Sequence, residues 1–117
     1  MSWTIQLYES PSGHTPVEDF IRSLQPATIA KLRHQLNLLA EFGLQLGMPN
    51  AKPIGNGMFE LRVRGREEVR ALYLFHTGKT IIVLHGFKKK TMAISRKDLN
   101  IARGRKAEVE NLITYRL

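Results

Sequence analysis

Three short segments within residues 58–87 decide the fold: MFELRVR (58–64), VRALYLFH (69–76) and TIIVLHGF (80–87). Apolar and polar residues alternate in the first segment, as in a strand with one covered face. The second segment alternates less regularly, and the third is almost continuously apolar, which is typical of a central strand. His76-Thr77-Gly78-Lys79 joins the second segment to the third and predicts a tight hairpin turn. The whole stretch therefore predicts a three-strand antiparallel meander.

The sequence before the meander predicts a strand and a helical hairpin. Residues 3–9 (WTIQLYE) alternate in polarity and favour an N-terminal strand. Thr15-Pro16-Val17-Glu18 has the form of a capping box with proline at the first helical position. Pro26 then opens a second helix, and Gly43 is its expected C-terminal stop.

Two further segments complete the predicted architecture. Residues 44–57 are rich in glycine and proline and favour a loop. The last helix is expected from about Ser95, where Ser95 and Asp98 resemble a second capping box. The element order β-α-α-β-β-β-α in 117 residues predicts one α+β domain, residues 1–117, with a meander sheet and helices packed on one face.

The composition excludes several classes of protein. The chain has no cysteine, which excludes disulfides, thiolate metal sites and cysteine catalysis. No apolar run approaches the roughly 18 residues of a membrane span. Residues 1–5 (MSWTI) lack the basic and apolar regions of a signal peptide. We therefore expect a cytoplasmic protein that has no membrane partner.

The net charge of +8 lies entirely in the second half of the chain. Residues 58–117 hold 14 basic and 6 acidic residues, whereas residues 1–57 hold four of each. This asymmetry predicts one surface built for a polyanion, and nucleic acid is the commonest such partner. The alternative is a basic protein without a polyanion ligand.

The sequence predicts neither a metal nor a cofactor. Its four histidines do not have the spacing of HxxxH, HExxH or a comparable metal motif. Gly55-Asn56-Gly57 begins a GxG pattern, but no third glycine and no helix follow, so a loop before a strand is the simpler interpretation. No Ser–His–Asp arrangement stands out, although spacing alone leaves that possibility open.

Basic side chains concentrate on the predicted meander. Arg62 and Arg64 lie two apart in the first strand, so their side chains emerge from one face roughly 6.5–7 Å apart. Neighbouring segments carry further cations, namely Arg66, Arg70, Lys88, Lys89 and Lys90. Phe59 and Phe87 are candidates for stacking on bases or for core packing. A solvated outer face, with Glu60 paired to Arg62, is the alternative for the arginines, and a solvated exit loop is the alternative for the lysines.

Several motifs together resemble a known family. These are GHTPVEDF (13–20), GMFELR (57–62), RALY (70–73), LHGFKKKT (84–91) and DLNIA (98–102). They resemble the phage-derived HigB branch of the RelE/ParE toxin superfamily, over roughly residues 5–105. The combination is fairly specific, whereas no single motif is.

The resemblance implies a fold, an activity and partners. The fold is a RelE-like sheet with an N-terminal helical hairpin and a C-terminal helix. The activity is that of a type II toxin, a ribosome-dependent mRNA endonuclease (an mRNA interferase), silenced by a cognate antitoxin that often has a HigA-like helix-turn-helix. Matched position by position, the family's basic site residues fall on Arg62, Arg70, Lys88 and Lys89. Arg64, Arg66, Lys90 and Arg96 are expected to bind RNA.

Metal-free RNA cleavage uses the 2′-hydroxyl as nucleophile on the adjacent phosphate. It needs a base for that hydroxyl, positive charge for the transition state, and an acid for the 5′-oxygen. Arginine suits the second role, because its planar, always charged fork binds two phosphate oxygens. His85 and the lysines of the 88–90 run are candidates for proton transfer, and Glu60 is a candidate base or a partner that orients Arg62.

One departure from the resemblance concerns the general base. RelE has a tyrosine near the start of its last helix, whereas residues 91–96 (TMAISR) contain none, and Tyr115 lies too far along the chain. Either another group is the base, or the activity is weak. A non-nucleolytic ParE-like toxin and a non-catalytic, phage-derived nucleic-acid-binding protein therefore stay open as alternatives.

Overall fold

The computed structural model describes residues 2–116, with side chains for residues 2–111. Five strands form one mixed sheet in the order β1-β5-β4-β3-β2. Strand β1 pairs with β5 in parallel, and the other three pairings are antiparallel. The strands are β1 (Thr4–Leu7), β2 (Ala51–Gly55), β3 (Met58–Val63), β4 (Val69–His76) and β5 (Thr80–Lys88). The predicted meander is thereby confirmed as β3-β4-β5.

Three helices flank the sheet, and they are α1 (Pro16–Arg22), α2 (Pro26–Phe42) and α3 (Arg96–Arg116). Helices α1 and α2 form the predicted hairpin, and each begins at a proline, whose missing N–H and fixed φ suit a first helical position. A 3₁₀ turn at Gly43–Gln45 follows α2. Within the described residues, no helix has the length and apolarity needed to cross a bilayer. The side chain of Tyr115 lies outside the described part of the chain.

The loop predicted over residues 44–57 is partly wrong, because Ala51–Gly55 is an edge strand paired with β3. Proline disfavours a central strand, but Pro53 is tolerated at an edge, where its missing N–H costs no ladder bond. A hairpin with positive φ at Gly55, Asn56 and Gly57 then joins β2 to β3. The sheet accordingly has five strands, one more than the sequence predicts.

The prediction that all helices pack on one face of the sheet is also wrong. In β4, Ala71 and Tyr73 join the core under α1 and α2, whereas Leu72 and Leu74 join a second core that includes Ala102 of α3. Strands β4 and β5 are apolar on both faces, so each face requires a cover. The architecture is α+β with a helical layer on either side, and it is compatible with a RelE-like fold.

The two predicted capping boxes differ in the structure. Ser95 caps α3: its hydroxyl accepts the backbone N–H of Asp98 at 3.0 Å and donates to the Asp98 carboxylate at 2.7 Å. At α1, the hydroxyl of Thr15 donates to the Glu18 carboxylate at 3.2 Å and accepts no backbone N–H. The Ser95–Asp98 box is therefore confirmed, whereas Thr15 and Glu18 form only a contact between side chains.

The three central strands extend beyond both edge strands at one end of the sheet. Strand β2 pairs with β3 only as far as Leu61, and β1 pairs with β5 only as far as Val83. Beyond these points β3, β4 and β5 continue together, with Val63 opposite Val69 and Val69 opposite Lys88. We call this projecting part, with the 64–68 loop and residues 89–90, the sheet end.

Candidate nucleic-acid interface

The sheet end brings the predicted basic residues together. Arg62 of β3 lies opposite Arg70 of β4, and Arg70 lies opposite Phe87 of β5. The loop after β3 adds Arg64 and Arg66, and the residues after Phe87 add the three lysines 88–90. The meander therefore makes neighbours of cations that are up to 28 positions apart in sequence.

Arg62 and Arg70 converge on one buried carboxylate. The side chain of Glu60 is 0% exposed, and those of Arg62 and Arg70 are 12% and 6% exposed. Arg62 Nε donates to Glu60 Oε1 at 3.2 Å, and Arg70 Nε lies 3.8 Å from Glu60 Oε2. Of the alternative interpretation, the pairing of Glu60 with Arg62 is confirmed, whereas the solvated outer face is wrong, because Glu60 is buried.

Arg70 is held in place by further contacts. Its Nη1 donates to the Val69 carbonyl at 2.9 Å, and its Nη2 contacts the Glu68 carboxylate at 3.5 Å. Among buried side-chain atoms of the described residues, only Glu60 Oε2 and Arg70 Nε have no hydrogen-bond partner. These two atoms face each other as an ion pair slightly too long for a hydrogen bond. A buried charge pair of this kind depends on both partners being present.

The lysines of the 88–90 run differ in their ion pairs. Lys88 Nζ binds the Glu67 carboxylate at 2.8 Å, whereas Lys89 and Lys90 form no ion pair with a described residue. Strand alternation places Lys88 with Gly86, which contacts Phe20 of α1, and so turns Lys88 away from Arg70. All three lysines nevertheless line one cleft beside Phe87, so Lys88 differs from the other two in its ion pair with Glu67.

Glu67 is the anchor of this corner. Its carboxylate accepts the Lys88 ammonium, the Thr28 hydroxyl and the backbone N–H of Gln25, the N-cap residue of α2. These donors, the Lys88 ammonium first, lower the pKa of Glu67 to about 2. The carboxylate also benefits from the positive end of the α2 dipole. Glu67 consequently joins the β3–β4 loop to both α2 and β5.

His85 has a partner at each ring nitrogen. Its Nε2 lies 2.7 Å from Asp98 Oδ1, and its Nδ1 lies 3.4 Å from Arg105 Nη1. Because arginine only donates, Nδ1 accepts and Nε2 carries the proton that it donates to Asp98. Burial lowers the pKa of His85, and this effect exceeds the opposing one of the Asp98 carboxylate. The ring is also stacked on Phe87, with centroids 5.5 Å apart.

The contacts of His85 favour a structural role over proton transfer. The chain of hydrogen bonds runs Ser95–Asp98–His85, with the carboxylate in the middle, so the imidazole does not contact the serine hydroxyl. A nucleophilic triad requires the histidine between the serine and the acid. The arrangement instead joins the start of α3 to β5.

An open cleft of about 480 Å³ lies at the β5 edge of the sheet end, between α1 and the start of α3. We call it the β5 cleft. Its lining includes Phe87, the three lysines 88–90 and Lys97, with Asp98 as the only acid. Arg96, predicted to bind RNA, is exposed at the first position of α3 and is not part of this lining.

A second open groove, of about 420 Å³, lies at the β3 edge between α2 and β3. We call it the β3 groove. Arg62 and Arg64 line it together with Lys31 and His34 of α2. The sequence prediction missed Lys31, and it treated His34 as a surface polar residue. The available signal was their spacing of three on α2, which places both on one side of the helix.

The two aromatic candidates occupy different environments. Phe59 lies in the α1/α2 core and stacks on Tyr73, with centroids 5.6 Å apart. Phe87 is 8% exposed and lines the β5 cleft. Of the two, only Phe87 is at the sheet end. Within the described residues, no group of three His, Cys, Asp or Glu side chains has the geometry to hold a metal ion.

The structure is a basic α+β sheet with two arginines on one carboxylate at one end, and a comparison with known families shows which family the chain belongs to. The family model Phage derived protein Gp49-like (DUF891) matches residues 19–107. The match covers more than half of the chain, so the chain belongs to this family, which is toxin-like and of the RelE/HigB type. Every candidate residue named above lies inside the matched span. No curated protein matches the sequence significantly.

Proposed function

We propose that this protein is the HigB-like toxin of a type II toxin–antitoxin pair and that it cleaves ribosome-bound mRNA. The observation that carries the proposal is the convergence of Arg62 and Arg70 on one carboxylate, at the sheet end that also holds the basic loop and the lysines. Membership of a toxin-like, phage-derived family supports the biological role. The cations support a polyanionic substrate.

The proposed reaction breaks the bond between phosphorus and the 5′-oxygen by attack of the adjacent 2′-hydroxyl. The 2′-proton leaves to a base, a 2′,3′-cyclic phosphate forms, and the leaving 5′-oxygen takes a proton. Negative charge grows on the phosphate oxygens, and arginines held in advance stabilise it most when no water intervenes. Glu60 keeps both guanidinium groups fixed, and Lys89 lines the β5 cleft together with Phe87.

The proposed partner is an antitoxin with an acidic segment that covers the sheet end. Arg64, Arg66 and Lys90 are exposed there and present a cationic surface to such a segment. Opposite charges on the two surfaces accelerate association and fix its orientation. A helix-turn-helix protein of the HigA type, encoded next to the toxin, is the proposed partner.

The test is induced expression of the wild-type chain, followed by mapping of new mRNA 5′ ends and analysis of their chemistry. The proposal predicts growth arrest, new 5′-hydroxyl ends within translated messages, and relief of both effects when the adjacent gene is expressed too. The double variant E60Q/R70Q removes both charges of the buried pair at once and should fold, yet it should produce no new ends. Cleavage by this folded variant at the wild-type rate would exclude the Arg62–Arg70 site.

A second candidate, a non-nucleolytic ParE-like toxin, is favoured by one observation. Both nitrogens of His85 have partners, and residues 91–96 contain no tyrosine, so a general base is not evident among the described side chains on this face. This candidate predicts growth arrest with unchanged mRNA 5′ ends. The same mapping experiment therefore separates the two functions.

A further inference from the structure

The β3 groove combines side chains from the two halves of the chain. Lys31 and His34 come from α2, in the half of neutral net charge, and Arg62 and Arg64 come from the end of β3. Lys31 reaches the β3–β4 loop, because a Cβ on Gly65 would lie 2.5 Å from Lys31 Nζ. The lysine ammonium therefore lies beside the backbone that joins Arg64 to Arg66.

The residues that line this groove are basic or uncharged. Its lining contains two arginines, a lysine and a histidine, with no aspartate or glutamate. Gln35 and Asn50 supply further polar groups, and Gln35 Nε2 already donates to the Arg62 carbonyl at 2.8 Å and to Asn50 Oδ1 at 3.2 Å. An open groove with such a lining suits a phosphate backbone better than an apolar or cationic ligand.

The groove and the β5 cleft lie on opposite edges of the same sheet end. The row Arg62–Arg70–Phe87 connects them, since Arg62 lines the groove and Phe87 lines the cleft. Adjacent strands are about 4.8 Å apart, so β3 and β5 are separated by about 10 Å. A single-stranded polynucleotide that enters both sites must therefore pass this row, whose arginine side chains are 12% and 6% exposed.

We infer that single-stranded RNA crosses the sheet end from the β3 groove to the β5 cleft, and that Lys31 and His34 bind its phosphates in the groove. The inference deepens the proposed function and rests on it, because the row that the strand crosses is the proposed site of cleavage. Single-strand binding modules cover about four nucleotides at the short end of their range, so we expect about four to be the shortest length that occupies both sites. Lys31 and His34 are therefore binding residues beside the cleavage site.

The test measures binding of single-stranded RNA by fluorescence anisotropy across a salt series. The oligonucleotides have two, four or eight residues and carry 2′-O-methyl groups, which prevent attack by the 2′-oxygen. Wild-type protein is compared with Lys31→Ala and with the matched control Arg33→Ala. Arg33 is exposed on the same helix but does not line the groove, so both variants lose one positive charge from α2.

We expect Lys31→Ala to weaken binding of the eight-residue RNA about three- to tenfold. It should also reduce the slope of log affinity against log salt concentration by about 0.7, the value for one phosphate contact on a single strand. Arg33→Ala should change the affinity less than twofold. The two-residue RNA is too short to span both edges, so Lys31→Ala should affect it less than the longer RNAs.

Equal losses in Lys31→Ala and Arg33→Ala would overturn the inference, because they would show an effect of net charge alone. That result would leave the proposed function standing, provided that the wild-type protein binds RNA and produces new mRNA ends. Failure of the wild-type protein to bind any of the three RNAs would also overturn the inference. Mapping of mRNA ends then decides the proposed function independently.

Discussion

Glu60 shows how a single residue organises the sheet end. The carboxylate is enclosed, and two guanidinium groups lie beside it, so the local charge is positive while no carboxylate is left unpaired. Sequence alternation identified which residues share the face with Glu60, but it left open whether that face is exposed to solvent. Whether that face is buried depends on elements distant in sequence, such as α3, whose Ala102 packs in the core with Leu72, and a local period contains no information about them.

Substitution of Arg70 alone should destabilise the fold. Arg70→Ala leaves the buried Glu60 carboxylate without one of its two partners, and breaking a buried pair in this way costs about 3–5 kcal/mol. The double variant E60Q/R70Q should recover part of that loss, because no buried carboxylate is left behind, while Arg62 loses its ion pair with Glu60. Urea unfolding of both variants provides the measurement. A single variant as stable as wild type would show that the pair contributes little.

Glu67 should give the fold an acid-dependent stability. Its pKa of about 2 lies below the ordinary value of 4.5, so the unfolded chain binds the proton more readily than the folded chain. The resulting stabilisation is fully present above about pH 4.5 and is lost as the pH falls towards 2. The free energy of unfolding should therefore differ between wild type and Glu67→Gln at pH 6, and this difference should shrink by pH 3.

The control for this experiment is Glu9→Gln, which removes the same charge from an exposed residue. Its difference from wild type should be small at both pH values. A Glu67→Gln difference that stays constant from pH 6 to pH 3 would contradict the contacts with Lys88, Thr28 and Gln25.

At the scale of elements, α3 is attached to the sheet through its first turns. Asp98 is part of the N-terminal cap and also accepts from His85 of β5, while Arg105 donates to the Leu84 carbonyl at 2.8 Å. Ala102 is fully buried between these two contacts, where its small side chain permits close approach. The position of α3 over β5 thus depends on polar contacts that flank a small apolar one.

The sequence predicted the elements better than their arrangement. The meander, the hairpin turn, the helical hairpin and the Ser95 cap were all readable, because each depends on local spacing. Strand β2 was missed because its proline and glycines are loop signals, and only pairing with β3 makes Ala51–Gly55 a strand. The distribution of helices over both faces of the sheet was missed, because local patterns do not show which helix packs on which face.

His85→Gln should separate a structural role from a catalytic one. Because burial lowers the pKa of His85, the unfolded chain takes up a proton first as the pH falls below about 6.5, and wild type then loses stability. The variant lacks this titration. The difference in free energy of unfolding between wild type and the variant should therefore shrink between pH 7.5 and pH 5.5. The exposed His14→Gln is the control. We expect His85→Gln to keep growth inhibition, and a complete loss of toxicity in folded protein would restore His85 to the proton-transfer step.

At the scale of the whole molecule, the fold brings together basic side chains that lie far apart in the sequence. The second half of the chain supplies the excess of cations, and the prediction of a basic surface there depended on that count. The first half is neutral overall, yet α2 places Lys31 and His34 beside Arg62 and Arg64. A charge count along the chain cannot show this, because it averages over residues that the fold separates. The candidate arginines were readable from the strand pattern, whereas the two edge sites required the three-dimensional structure.

The opposite end of the sheet provides a matched control for the basic surface. Lys79 lies in the β4–β5 hairpin over the ring of Trp3, and Arg103 of α3 lies near Asn56 in the β2–β3 hairpin. Lys89→Ala/Lys90→Ala and Lys79→Ala/Arg103→Ala each remove two positive charges and leave the same net charge. If RNA or ribosomes bind at the sheet end, the first double variant should reduce the slope of log affinity against log salt by about 1.4, for two phosphates on a single strand. The second should leave the slope near its wild-type value.

Filter binding from about 50 to 200 mM salt measures both slopes. Equal reductions in the two double variants would show that RNA is attracted to the whole cationic molecule and does not bind specifically at the sheet end.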